Sequence, residues 1–161
     1  MIFNSPSSLD KNSGNSRNVS NIVFDEKTFG ITQHSLRMLR DALAEKFTHN
    51  IAVVEVPTNN LCCGYFIFDL ERQNAIWTGD GFRMDRAGEG GAGYRSTEAL
   101  FDMYGIRVIP WEPINIEEIY LLPKEQVRKV LLNVARKIAD ELSDGDFSRP
   151  VEKKPSYVGC L

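Results

Sequence analysis

Residues 79–94 read Gly-Asp-Gly-Phe-Arg-Met-Asp-Arg-Ala-Gly-Glu-Gly-Gly-Ala-Gly-Tyr, and Arg95, Ser96 and Thr97 follow. Glycine reaches positive φ without penalty and lets a ligand come close to the main chain. The pattern predicts a long loop up to Tyr94. A helix is expected after it, over about 96–104, capped by Ser96 or Thr97 and stopped by Gly105. A helix start offers unpaired N–H groups and the positive end of the helix dipole. Arg83, Arg86 and Arg95 lie beside it, and a guanidinium can hold a phosphate or carboxylate with two bonds. The expected chemistry is recognition of a compact anion, nucleotide-like or phosphate-bearing. The residues that would hold it are Arg83, Arg86, Gly90, Gly91, Gly93, Tyr94, Arg95, Ser96 and Thr97. Asp80, Asp85 and Glu89 are the competing internal partners. The spacing matches neither GxxxxGK[ST] nor a GxGxxG after a strand.

Three glutamates form a second constellation. Glu55 interrupts the apolar run Ile51–Val56, Glu98 falls in the first turn of the expected helix, and Glu112 follows the next strand. Hard divalent cations want several anionic oxygens, so such acids would have to converge to hold one. Glu98 is also explained by the helix dipole alone. His34 and His49 flank the first expected helix without a Ser, Cys or Asp at a readable spacing, and both read as surface histidines. The cysteines are Cys62, Cys63 and Cys160, with no CxxC. With two histidines they make too few ligands for structural zinc, and they read as reduced thiols. No GxSxG is present. No catalytic residue and no cofactor are assigned.

The elements that must position these residues follow from hydrophobic period. Residues 22–24 suggest a short edge strand. Leu36, Leu39, Leu43 and Phe47 recur at helical spacing, with Thr32 as the expected cap. Residues 51–56, 63–70 and 75–78 read as three strands, the last two joined by a polar turn, so a meander is expected. Residues 106–109 form a further strand closed by Pro110. Residues 116–121 fit a strand or a helical turn. Pro123 opens a last helix whose stripe is Val127, Val130, Leu131, Val134, Ile138 and Leu142.

The order predicts an α+β domain. A three-stranded antiparallel meander and a further strand would share one mixed sheet, packed by two or three helices. Three antiparallel strands, a helix and a fourth strand resemble the opening of a ribonuclease H-like fold in element order. That resemblance implies acids on the first strand, the helix and the fourth strand gathered around divalent metal, here Glu55, Glu98 and Glu112.

The chain has 161 residues, 42% of them apolar, and a formal net charge of -3. One domain is expected over residues 21–143. A polar arm over 1–20 and an extended tail over 144–161, anchored by Phe147, Tyr157 and Val158, would flank it. The acidic balance argues against a nucleic-acid-binding surface, and no apolar run is long enough for a membrane helix. A cytoplasmic binding or regulatory domain for a small anion is the first reading. The alternatives are a homodimeric protein-interaction module, joined through the meander edge and using no small ligand, and a metal-dependent nuclease.

Overall fold

The computed structural model describes residues 19–58 and 61–151. The strands are β1 (Asn21–Val23), β2 (Ile51–Pro57), β3 (Cys62–Asp69), β4 (Asn74–Trp77), β5 (Phe82–Arg83) and β6 (Val108–Pro110). The helices are α1 (Thr32–Lys46), α2 (Gly88–Tyr104), α3 (Ile116–Tyr120) and α4 (Lys124–Glu141). One mixed sheet runs in the order β1-β4-β3-β2-β6, and β5 pairs with the start of β3.

The meander is present. β2 opposes β3 antiparallel, with Ile51 across from Asp69 and Pro57 across from Cys63, and β3 opposes β4. β6 lies parallel beside β2, so the fourth strand neighbours the first. β1 is an additional strand, parallel to β4. The meander therefore has no free edge: β1 covers β4 and β6 covers β2. A dimer formed by strand pairing would have to join at β1 or β6, the outer strands of the sheet.

Side chains alternate across each strand, which divides the core in two. On one face, Val53, Tyr65, Ile67 and Phe82 pack against Leu39 and Leu43 of α1 and Phe101 of α2. On the other, Val54, Val56, Phe66 and Trp77 pack against Ile116 and Ile119 of α3 and Val127, Leu131, Ile138 and Leu142 of α4. β2 is buried on both faces, which is why its sequence is nearly unbroken apolar.

The glycine stretch corrects the sequence reading. Gly88 begins α2, so Gly90, Gly91, Gly93 and Tyr94 are helical, and Ser96 and Thr97 lie in mid-helix rather than at a cap. Each glycine weakens a helix by roughly 1 kcal/mol relative to Ala, so propensity alone favours a loop. Packing overrides it. A Cβ on Gly91 would collide with the Arg86 main chain, one on Gly93 with Thr32, and one on Gly90 would stand 2.8 Å from Arg83 Cγ. The glycines let α2 press against the preceding loop and α1.

Thr32 is also corrected, because it does not cap α1. The N-cap is Ile31, and the Thr32 hydroxyl donates instead to the Gly81 carbonyl at 2.5 Å. Val19, assigned by sequence to the polar arm, is buried in the core. The tail docks as far as it is described: Ser148 bridges Ile51, and the Val151 N–H donates to Tyr104. Residues 1–18, Tyr157, Val158 and Cys160 lie outside the described residues.

Candidate functional site

At the start of α2 the arginines already have partners. Arg83 donates to both carboxylate oxygens of Asp85, at 3.0 and 2.6 Å. Arg86 meets Glu98 at 2.6 Å, and Arg95 donates to the Arg86 carbonyl at 2.9 Å. Asp85 also accepts from the Ala87 N–H, just before the helix, and Glu89 adds a carboxylate to the first turn. The Arg83 guanidinium, followed by that N–H, holds the Asp85 carboxyl below the usual range. Each arginine at this helix start is thus already bonded within the chain.

The three glutamates do not meet. Glu55 Oε1 accepts from the Tyr65 hydroxyl at 3.1 Å and the Tyr94 hydroxyl at 3.2 Å. The Thr97 hydroxyl lies 3.0 Å from the Tyr65 oxygen and 2.7 Å from the Tyr94 carbonyl, and its single proton serves one of the two. Burial pushes the Tyr65 hydroxyl far up, and the nearby Cys63 and Glu55 add to that, so this hydroxyl keeps its proton at neutral pH. Glu98 turns to Arg86, while Glu112 lines a shallow hollow with Trp111 and Glu141. The expected metal set of Glu55, Glu98 and Glu112 is therefore corrected.

Among the described residues, the potential ligand group with atoms within 4.8 Å of one another is His49, Asp69 and Glu71. The chain supplies its own cation there. The buried Lys46 ammonium and His49 Nδ1 each lie 2.8 Å from Asp69 Oδ2. The Arg72 N–H donates to the other oxygen. Burial alone would raise the Asp69 carboxyl, but the bonds from Lys46, His49 and Arg72 outweigh it and bring the pKa below normal. The cluster fastens the C-terminal end of α1 to the sheet. Neither His49 as a partner of Asp69 nor the burial of Lys46 was visible in the sequence.

Asp80 shows the opposite balance. It accepts from the Tyr120 hydroxyl at 3.2 Å and the Gly30 N–H at 3.1 Å, and more weakly from Thr58. Burial nevertheless keeps its carboxyl above the usual range.

An open cleft lies elsewhere, larger than the hollow beside Trp111. α1 and β1 leave between them a cleft of about 560 Å³. Its apolar lining comes from Val23, Phe24, Met38, Ala42 and Ile76. Val23, 40% exposed, projects from an edge strand. The helix wall is held at both ends. Lys46 anchors it at one, and Thr32 with Ser35, whose hydroxyl donates to the Thr28 carbonyl at 2.8 Å, anchors it at the other. His34 Nδ1 lies 2.5 Å from the Lys27 carbonyl. A carbonyl only accepts, so Nδ1 carries the proton and Nε2 is the remaining basic nitrogen.

β1 also offers main-chain groups. In a parallel pair the N–H and C=O of alternate residues face the neighbour strand. The Thr78 N–H donates to the Tyr65 carbonyl, so β4 turns the main-chain groups of Asn74 and Ile76 to β3 and those of Gln73, Ala75 and Trp77 to β1. In the register of β1, Asn21 and Val23 face β4 and the main-chain groups of Ile22 face outward. From below, Arg128 and Arg136 of α4 bind the carbonyls of Ile22 and Val19.

Sequence reasoning missed this cleft. Its one signal was His34, Met38, Asp41 and Glu45 at helical spacing, which placed a methionine inside an otherwise charged face of α1. No protein-family model, curated protein or solved structure matches the chain.

Proposed function

We propose that this chain is a recognition module that takes an extended polypeptide segment along the outer edge of β1. Side chains of that segment enter the α1–β1 cleft. The observation that carries the reading is the cleft of about 560 Å³ beside an edge strand whose Ile22 N–H faces outward, with the Ile22 carbonyl held by Arg128. Strand addition uses these two parts together: main-chain bonds give affinity, and a groove for alternate side chains gives selectivity. A compact anion at the start of α2 has less support, because it would have to displace Asp85 from Arg83 and Glu98 from Arg86. No bond-making step is assigned to the cleft.

The test is selection from a random peptide library on the immobilised protein. Enriched peptides are expected to bind in fluorescence polarisation and to lose about tenfold or more in affinity, roughly 1.4 kcal/mol, on Val23→Asp, which puts a charge on the apolar lining of the cleft. Binders indifferent to Val23→Asp, or no enrichment, would overturn the reading. A second copy of the chain is the rival occupant of β1. A mass that doubles with concentration and returns to the monomer on Val23→Asp would establish it.

A further inference from the structure

The cleft has an electrostatic direction. α1 runs antiparallel to β1, since Lys27 and Thr28 meet His34 and Ser35 at one end, while Asn21 and Lys46 lie near the start of β4 and the end of β3 at the other. Lys27, His34 and Arg37 line the end where α1 begins, and the positive end of the helix dipole adds to them. Asp41 and Glu45 line the end where α1 finishes. Asp25 also lies at the basic end, but its carboxylate is turned onto the Lys27 N–H, where it caps the following turn. Lys27, Arg37 and Asp41 hold no ion pair among the described residues, and Glu45 has only a long 3.9 Å contact to Lys46.

Resting on the strand-docking reading, we propose that the partner segment carries the pattern Glu-x-apolar-x-Lys, or its Asp and Arg equivalents, read from N to C. Arg37 and Glu45 are eight residues apart on one helix, about 12 Å along its axis. An extended chain covers that distance in about four residues, at roughly 3.3 Å each. Positions i, i+2 and i+4 of a strand share one face. The acidic side chain then meets Lys27, His34 and Arg37, and the apolar one enters between Val23, Met38, Ala42 and Ile76. The basic one reaches Asp41 and Glu45. The direction is antiparallel to β1, the more stable pairing per residue. This orientation puts the N-terminal end of the segment at the basic end of the cleft.

Two capped peptides of identical composition test it: Thr-Glu-Thr-Leu-Thr-Lys-Thr and Thr-Lys-Thr-Leu-Thr-Glu-Thr. Fluorescence polarisation is expected to show the Glu-first peptide binding about tenfold tighter to the wild type. Arg37→Glu with Glu45→Lys is expected to invert the order. Arg37→Glu alone, which leaves the surroundings of Lys46 untouched, is expected to erase the preference. Equal affinities on the wild type, or an order unchanged by both variants, would overturn the polarity while strand docking stands. The same holds if library-selected peptides bind and neither of these does. If no peptide responds to Val23→Asp, the docking reading itself fails.

Discussion

The start of α2 and the α1–β1 cleft make opposite use of charge. At α2, three arginines, several glycines and a helix start are gathered within a short stretch, and each charged group is answered from inside the chain. Around the cleft, charges of both signs stand apart along a groove, over an apolar floor and beside main-chain groups that face outward. The first region is dense in the residues associated with binding, yet it is closed. The second is sparse in them, yet it is open. Residue type marks what a site could hold, and the partner already present decides whether it is available.

The largest expected effect concerns the wall of the cleft. Asp69→Ala leaves the buried Lys46 ammonium without its partner, and chemical denaturation is expected to show a loss of about 3–5 kcal/mol. A loss under about 1 kcal/mol would mean that the helix is held by apolar packing alone.

Acid should separate Asp69 from Asp80. The folded pKa of Asp69 is depressed, so its contribution is present above the unfolded value near 3.9 and is lost as pH falls through the folded value. Asp80 is raised, so its contribution is full below the unfolded value and is lost as pH rises through the folded one. Asp69→Asn is therefore expected to flatten the acid limb of the stability curve and Asp80→Asn to steepen it. Matching acid limbs for the two variants would contradict these environments.

The closed region is probed by Gly91→Ala, whose new methyl meets the Arg86 main chain. Overpacking of this kind is expected to cost about 1–3 kcal/mol in a denaturant titration, and a gain in stability would show that the loop yields. In the cleft, Val23→Asp is expected to change stability by less than about 1 kcal/mol while weakening selected peptides about tenfold. The smallest effect is expected for Arg95→Ala, which removes one exposed bond to a carbonyl. Stability should move by about 0.5 kcal/mol or less, with peptide affinity unchanged.

The meander and α4 were legible because their periods are local properties: alternation in Tyr65–Leu70, and the stripe Val127, Leu131 and Ile138 at helical spacing. The start of α2 was not, since glycine signals a loop by propensity and a close approach only when Thr32 and Arg86 are known to stand beside it. Lys46 looked like an exposed end of a helix, because its partner Asp69 lies 23 residues away. The arginines at residues 83–95 were legible as anion binders, but which carboxylate each would take depends on the fold. The cleft arises from the distance between an edge strand and a helix, a quantity that no local pattern carries.

The most direct test of the central claim is amide hydrogen exchange, followed by NMR, on the protein with and without a library-selected peptide. Strand docking predicts slowed exchange at the outward amide of Ile22, with shift changes along α1 from His34 to Glu45. Changes confined to Arg83–Thr97, with Ile22 exchanging as before, would contradict it and return the site to the start of α2.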